Sequence, residues 1–345
     1  MKAAPDSTYI AEVKIVEDGK PANYTYQWYK NGSPISGATS KIYTITTSAV
    51  ANYSLYCAVR NKAGSVSSRV ALIDIQDAKP SFSYTGAKTL IEDKDANWTY
   101  KLTSGGILTF DEDIIVDIWG VGGGGSGAAA NGASGAGGGY SDYKTKVTLT
   151  AGTPYTVAIG AGGAAVSRWN LNGKDGGAST ITNGSTTLFS AGGGKKGIGH
   201  TKAADGYAGA GGNGGSGGGA GTYSEHEKAG AGGTNGADGG STSGTRGAAG
   251  GTGSGQNMRP FRNQNISNLN SNDIFYYGAG GGGSARKINS AANGGFTGGG
   301  NGEYGVNTAV AATNGTNHTG GGGGGADKGT SGRGGSGIIM IRNAR

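Results

Sequence analysis

The chain has 345 residues, enough for two or three domains, but only 34% are hydrophobic, so a large oily core is available only in parts. One cysteine, Cys57, excludes an intrachain disulfide and a cysteine-based metal site, and no run approaches the 18 apolar residues of a membrane-spanning helix. The net charge is +7, and residues 195–345 carry 13 Lys and Arg against 7 Asp and Glu. These cations stand singly or in pairs such as Lys195–Lys196, which suits long-range attraction to an anionic surface but makes no nucleic-acid stripe. The opening stretch Met1–Asp6 lacks the apolar region of a signal peptide.

From the start, strands are expected over Tyr9–Glu17, Tyr24–Lys30, Lys41–Thr47, Tyr53–Arg60 and Ser65–Ile75, with turns at Asn31-Gly32 and Asn61–Gly64. Short strands at this spacing, with no helical period, point to a β-sandwich over residues 1–78. The text from Tyr24 to Gly32 resembles the third strand of an immunoglobulin-like domain, and Cys57–Gly64 resembles its later partner strand. That resemblance makes Trp28 the core tryptophan and sets Cys57 facing it, with Val13 or Ile15 in the place of the missing first cysteine. Cys57 then reads as a small buried hydrophobe. The front domain is expected to fold alone and to serve as an adaptor or an accessory sugar-binding module.

A second domain, residues 79–345, begins with strands expected at Ser81–Tyr84, Asn97–Leu102, Ile107–Phe110 and Ile115–Val121. Tyr143–Thr150 and Tyr155–Ile159 read as a hairpin across Ala151–Pro154, and Thr186–Phe189, Ile274–Tyr277 and Ile338–Ile341 follow. Several of these strands run straight into glycine. Trp119 is expected in the core of a β-shell with Ile118, Val147, Leu149, Val157, Ile159, Ile339 and Ile341.

Glycine dominates the rest. Of 77 glycines, 8 fall in residues 1–120 and 69 in the following 225 residues. Gly212, Gly215, Gly218 and Gly221 recur every third residue, as do Gly230, Gly233, Gly236 and Gly239, then Gly244, Gly247, Gly250 and Gly253. Solid runs occur at Gly122–Gly125, Gly280–Gly283 and Gly320–Gly325. A period of three belongs neither to an α-helix nor to a strand, but to the polyproline II helix. Collagen needs an unbroken register and abundant proline, and the chain has 6 Pro. A disordered linker would lack the intervening strands. The expected fold is therefore mostly β and polyglycine II: an immunoglobulin-like sandwich, then a β-shell carrying a bundle of polyglycine II helices with apical loops. Gly215, Gly233, Gly247 and Gly322 should lie inside that bundle, where a neighbouring backbone fills the space of a Cβ.

The segments that interrupt the glycine text carry the candidate contact residues: Arg168, Trp169, Tyr223, His226, Arg259, Phe261, Arg262, Tyr304 and His318. Loops on a stiff scaffold are common binding sites. Enzyme chemistry is not expected. His200, His226 and His318 match no zinc spacing, Asp111–Asp113 reads as a solvated turn, and the phosphate-loop pattern is missing. No cofactor, metal or catalytic residue is assigned.

The glycine arrays with their interruptions resemble the distal adhesins of bacteriophage tail fibres. The texts at residues 116–125, 147–163 and 334–342 look like a wider glycine-rich domain of phage and prophage tail proteins, and a related module occurs in some animal receptor ectodomains. The resemblance covers about residues 81–345 and implies a receptor-binding tip protein of a tail or tail fibre. Such a protein would sit in the virion and act outside the host cell. Its partners would be a bacterial surface glycan or outer protein and other tail or fibre proteins, with no nucleic acid and no membrane insertion. The alternative is a structural spacer or bacterial cell-surface matrix protein without specific receptor binding.

Overall fold

The computed structural model describes residues 2–3, 7–15, 23–47, 51–75, 80–94, 97–167, 171–199, 201–203, 206–222, 237–241, 277–284, 293–295, 298–303, 310–327 and 329–344. Contacts divide the chain into two compact units, residues 1–79 with 93–98, and residues 80–92 with 99–345.

The first unit contains β1 (Lys2–Ala3), β2 (Ser7–Glu12), β3 (Thr25–Lys30), β4 (Ser33–Pro34), β5 (Ile42–Thr47), β6 (Ala51–Asn61), β7 (Gly64–Ser67) and β8 (Ala71–Ile75). One sheet runs β1-β8-β6-β3-β4, with β7 also on β6, and β2 and β5 form a second sheet. The alternation in β3 aims Tyr26 and Trp28 at one face, where Trp28, Ile45, Leu55, Cys57 and Ile73 form a buried core. Trp28 and Cys57 are directly opposite in the β3–β6 register. The indole N–H of Trp28 donates to Ser40 O at 2.9 Å, so burying the ring leaves no orphan donor. Asn31 and Gly32 take φ values of 50° and 80°, the double left-handed turn that a two-residue hairpin needs.

From residue 80 the strands are β9 (Phe82–Tyr84), β10 (Lys88–Lys94), β11 (Asn97–Leu102), β12 (Gly106–Phe110), β13 (Ile114–Val121), β14 (Ser141–Leu149) and β15 (Tyr155–Ala158). They continue with β16 (Ser179–Asn183), β17 (Thr186–Ala191), β18 (Thr201–Ala203), β19 (Gly206–Gly209), β20 (Gly221–Thr222) and β21 (Ile338–Asn343). Two five-stranded sheets run β10-β11-β21-β13-β14 and β17-β16-β15-β12-β9, and a small sheet runs β18-β19-β20. The large sheets meet through side chains: Phe82 of β9 packs edge-on against Tyr100 of β11 at 4.8 Å between centroids. The hydroxyl of Ser179 on β16 donates to Val121 O of β13 at 2.7 Å.

The last strand, β21, lies between β11 and β13 and is antiparallel to both. Its run Ile338–Ile341 is buried on both faces, which explains four consecutive apolar residues where a half-exposed strand would alternate. Asp117 and Arg342 are register partners in β13 and β21. The guanidinium donates from Nη2 at 3.0 Å and from Nε at 3.2 Å to Asp117 Oδ2. Asp117 Oδ1 accepts the N–H of Lys146 at 3.0 Å. That bond sits at the bulge where β14 slips against β13, and Lys146 has φ 54° there.

Two expectations are corrected. The architecture is all-β: no helix of any kind is present among the described residues, so the polyglycine II helices and the bundle built from them are not elements of this fold. Its sheets are antiparallel apart from the β1–β8 pairing. The glycine stretches take their hydrogen bonds from other segments and have no bonding pattern of their own that defines a helix. The hairpin expected from Tyr143 to Ile159 is also absent, because β14 and β15 belong to different sheets. Alternation alone does not distinguish a hairpin from two strands crossing between layers.

Asp117→Ala leaves Arg342 buried without its carboxylate and should cost about 3–5 kcal/mol in denaturant unfolding. Arg342→Leu added to it should recover much of that loss. A single variant that melts like the parent would show that the pair is dispensable.

Candidate functional site

The described glycine segments form the distinctive feature of the second unit, and their geometry follows from the missing side chain. The N–H groups of residues 122–130 turn in succession to three neighbours. Gly122, Gly125 and Ala128 donate to Tyr140, Gly137 and Ser134; Gly123, Ser126 and Ala129 donate to Gly177, Lys174 and Leu171. Gly124, Gly127 and Ala130 donate to Gly335, Gly332 and Ala326. The period of three in the sequence is thus a period of lateral bonding. Carbonyls of the same segment accept in turn from Gly163, Gly194, Gly197, Gly323 and Ala326. A buried backbone with no ladder of its own is thereby satisfied.

This closeness forbids side chains. A Cβ on Gly124 would stand 2.1 Å from Gly321 O, and one on Gly127 would stand 2.1 Å from Gly324 O. Where a small side chain does fit, it serves the backbone. Ser134 Oγ donates to Ala210 O at 2.6 Å and accepts the N–H of Ile198 at 2.8 Å. Ser126 Oγ accepts the N–H of Lys174 at 2.8 Å. Sequence reasoning passed over these serines; the signal was that both interrupt one glycine-rich stretch, residues 122–139. Trp119 is buried and lies 4.7 Å from the Tyr277 ring, in a cluster with Val121, Ile338 and Met340.

Of the candidate contact residues, Arg168, Trp169, Tyr223, His226, Arg259, Phe261, Arg262 and Tyr304 lie outside the described residues, as do Gly233 and Gly247. His318 is described: it is exposed in a turn at φ 61°, and its N–H donates to Ser336 Oγ at 3.0 Å. No cluster of the nine can be placed from it. Cys57 is a buried free thiol. Burial pushes it above its ordinary value, so little thiolate is present at neutral pH. Among the described residues no group of three or more His, Cys, Asp or Glu could hold a metal ion. No helix long and apolar enough to cross a membrane is present among them.

Sheets continuous with a laterally bonded interior of glycine, alanine and serine define a glycine-rich all-β domain. Residues 103–344 match the family described as the glycine-rich domain, and the chain belongs to that family. No curated protein matches the chain. The family is generic, with no tail-fibre or virion feature, and among the described residues no glycine-rich helix presents recognition loops. The expectation of a phage tail-fibre adhesin that recognises its receptor through loops between glycine-rich helices is therefore corrected.

Three glycines test the packing. A Cβ would lie 2.1 Å from Gly139 O at Gly215 and 2.3 Å from Ala136 O at Gly322, but at Gly192 it would meet only the Tyr140 side chain at 3.6 Å. Gly215→Ala and Gly322→Ala should each cost at least about 1–3 kcal/mol in thermal unfolding. Gly192→Ala should stay within about 0.5 kcal/mol of the parent. Equal melting of all three would contradict a close-packed interior.

Proposed function

We propose that this chain is a structural spacer or surface-matrix protein, acting through a fixed shape and not through specific receptor binding or catalysis. The observation that carries the reading is the lateral bonding of residues 122–130 to several distant segments at once. Ordering glycine is costly, because it loses more backbone freedom than any other residue. An interior that makes this investment gains mutual constraint: a segment cannot move without breaking bonds to segments far away in sequence. That property suits a rigid load-bearing body. Membership of the glycine-rich domain family agrees with it.

Single-molecule pulling on the full chain tests the proposal. The second unit should resist and then yield in one step. Residues 99–345 would release about 800–900 Å of contour at roughly 3.3–3.6 Å per residue. Gradual lengthening at low force would refute a rigid spacer.

A further inference from the structure

The first unit contains an open groove with a cavity volume of about 1030 Å³, independent of the spacer reading of the second unit. Its walls include Val13, Ile15, Tyr24, Trp28, Val66 and Ile73. Consecutive residues line it on two sides, Ile10 to Ile15 and Ala63 to Arg69. A strand shows alternate residues to a face, so an unbroken run of lining residues means that the strand edge itself borders the groove.

Both edges are available among the described residues. β2 pairs only with β5, and β7 only with β6. The N–H of Val13 donates to Lys41 O, in register with the β2–β5 ladder, so the odd-numbered residues of β2 bond toward β5. The N–H and C=O groups of Thr8, Ile10 and Glu12 consequently face away from β5, along the free edge. Across the groove, Val66 is opposite Val59, which packs on the core. Val66 therefore lies on the inner face of its sheet, yet it is 74% exposed. An inner-face valine open to water marks a place that no strand among the described residues covers.

The rim chooses between occupants. Lys14 and Arg69 border the groove and are exposed, with no carboxylate partner among the described residues. The one carboxylate among the described lining residues, Glu12, is engaged by Lys41 at 3.1 Å. We propose that the groove accepts an extended segment of a partner protein as an added strand on β2, its apolar side chains filling the groove and its alternating acidic side chains meeting Lys14 and Arg69. Main-chain bonds to β2 supply affinity, while the apolar floor and the cationic rim select the sequence.

Calorimetric titration of the full chain tests this with the capped peptide Val-Glu-Val-Glu-Val-Glu-Val and its counterpart carrying Lys for Glu. Binding should saturate at one peptide per chain, and the lysine peptide should bind at least about tenfold more weakly. Ile10→Pro removes an N–H from the free edge without touching the β2–β5 ladder, and Val66→Glu sets a like charge in the groove. Each should weaken the acidic peptide at least about tenfold at an unchanged unfolding midpoint. Should Ile10→Pro fail to fold, Val66→Glu and the peptide pair still decide. Equal binding of both peptides, no binding of either, or indifference to the folded variants overturns the proposal. So does a concentration-dependent dimer that Val66→Glu disperses and no peptide displaces, since the occupant would then be a second copy.

Discussion

Each buried glycine segment meets a neighbour's carbonyl oxygen where a side chain would begin. At Gly124 and Gly127 the distance is 2.1 Å, well inside any tolerable carbon–oxygen contact. This single constraint accounts for the composition: at such positions any side chain displaces the neighbour, whatever its chemistry. It also reverses the usual logic of a protein interior, in which side chains interlock and the backbone is kept apart. In this unit backbones interlock, and the few side chains admitted are alanines and serines, such as Ala128, Ala130 and Ser134. The gain per residue is a satisfied peptide group, modest in net terms at about 0.5–1.5 kcal/mol. An unsatisfied one in the same place costs about 1–3 kcal/mol, so the arrangement tolerates few gaps.

Hydrogen bonds of that size do not by themselves outweigh the ordering of so many glycines. The two five-stranded sheets supply the hydrophobic burial. Ile118, Leu149, Ile181, Ile338 and Ile339 are fully buried, and a large side chain contributes about 1.5–3 kcal/mol on burial. Ser179 connects the two systems. Its hydroxyl donates to Val121 O and accepts the N–H of Gly160, each at the point where a strand gives way to glycine. The Asp117–Arg342 pair fixes the register of the central strands and also anchors the β14 bulge. Charge, hydroxyl and apolar side chains thus set the frame within which the glycine backbones find their partners.

Much of the strand pattern was legible in the sequence because side-chain alternation encodes it. The Asn31-Gly32 turn and the apolar run Ile338–Ile341 could be read from local text, whereas Trp28 opposite Cys57 was implied by the immunoglobulin-like resemblance. β10 and β16 escaped notice, since Lys88–Lys94 and Ser179–Asn183 carry little apolar signal. The period of three was equally visible, but its meaning was misread. On its own it suggests the pitch of a helix, whereas it counts the neighbours to which successive N–H groups turn. Which segments those neighbours are is not written locally: Gly124 gives no sign that its N–H reaches Gly335. The open groove was also unreadable, because Val66 looks like any strand valine until its exposure on the inner face is seen. The nine contact residues were chosen for their chemistry alone, and His318 by itself locates no site.

The position of β21 bears on how the protein is made. Residues near the carboxyl end fill the middle of a sheet whose flanking strands, β11 and β13, emerge from the ribosome far earlier. Throughout synthesis of the intervening segments, those two strands wait with a gap between them, each presenting an unpaired edge. The sheet cannot close until β21 has been made, long after its two neighbours. Such sequence-distant pairing is slow, and the waiting edges are exposed to pairing with other nascent chains. The second unit is therefore at its most vulnerable just before β21 arrives, and loss of that one strand would remove a keystone of the sheet.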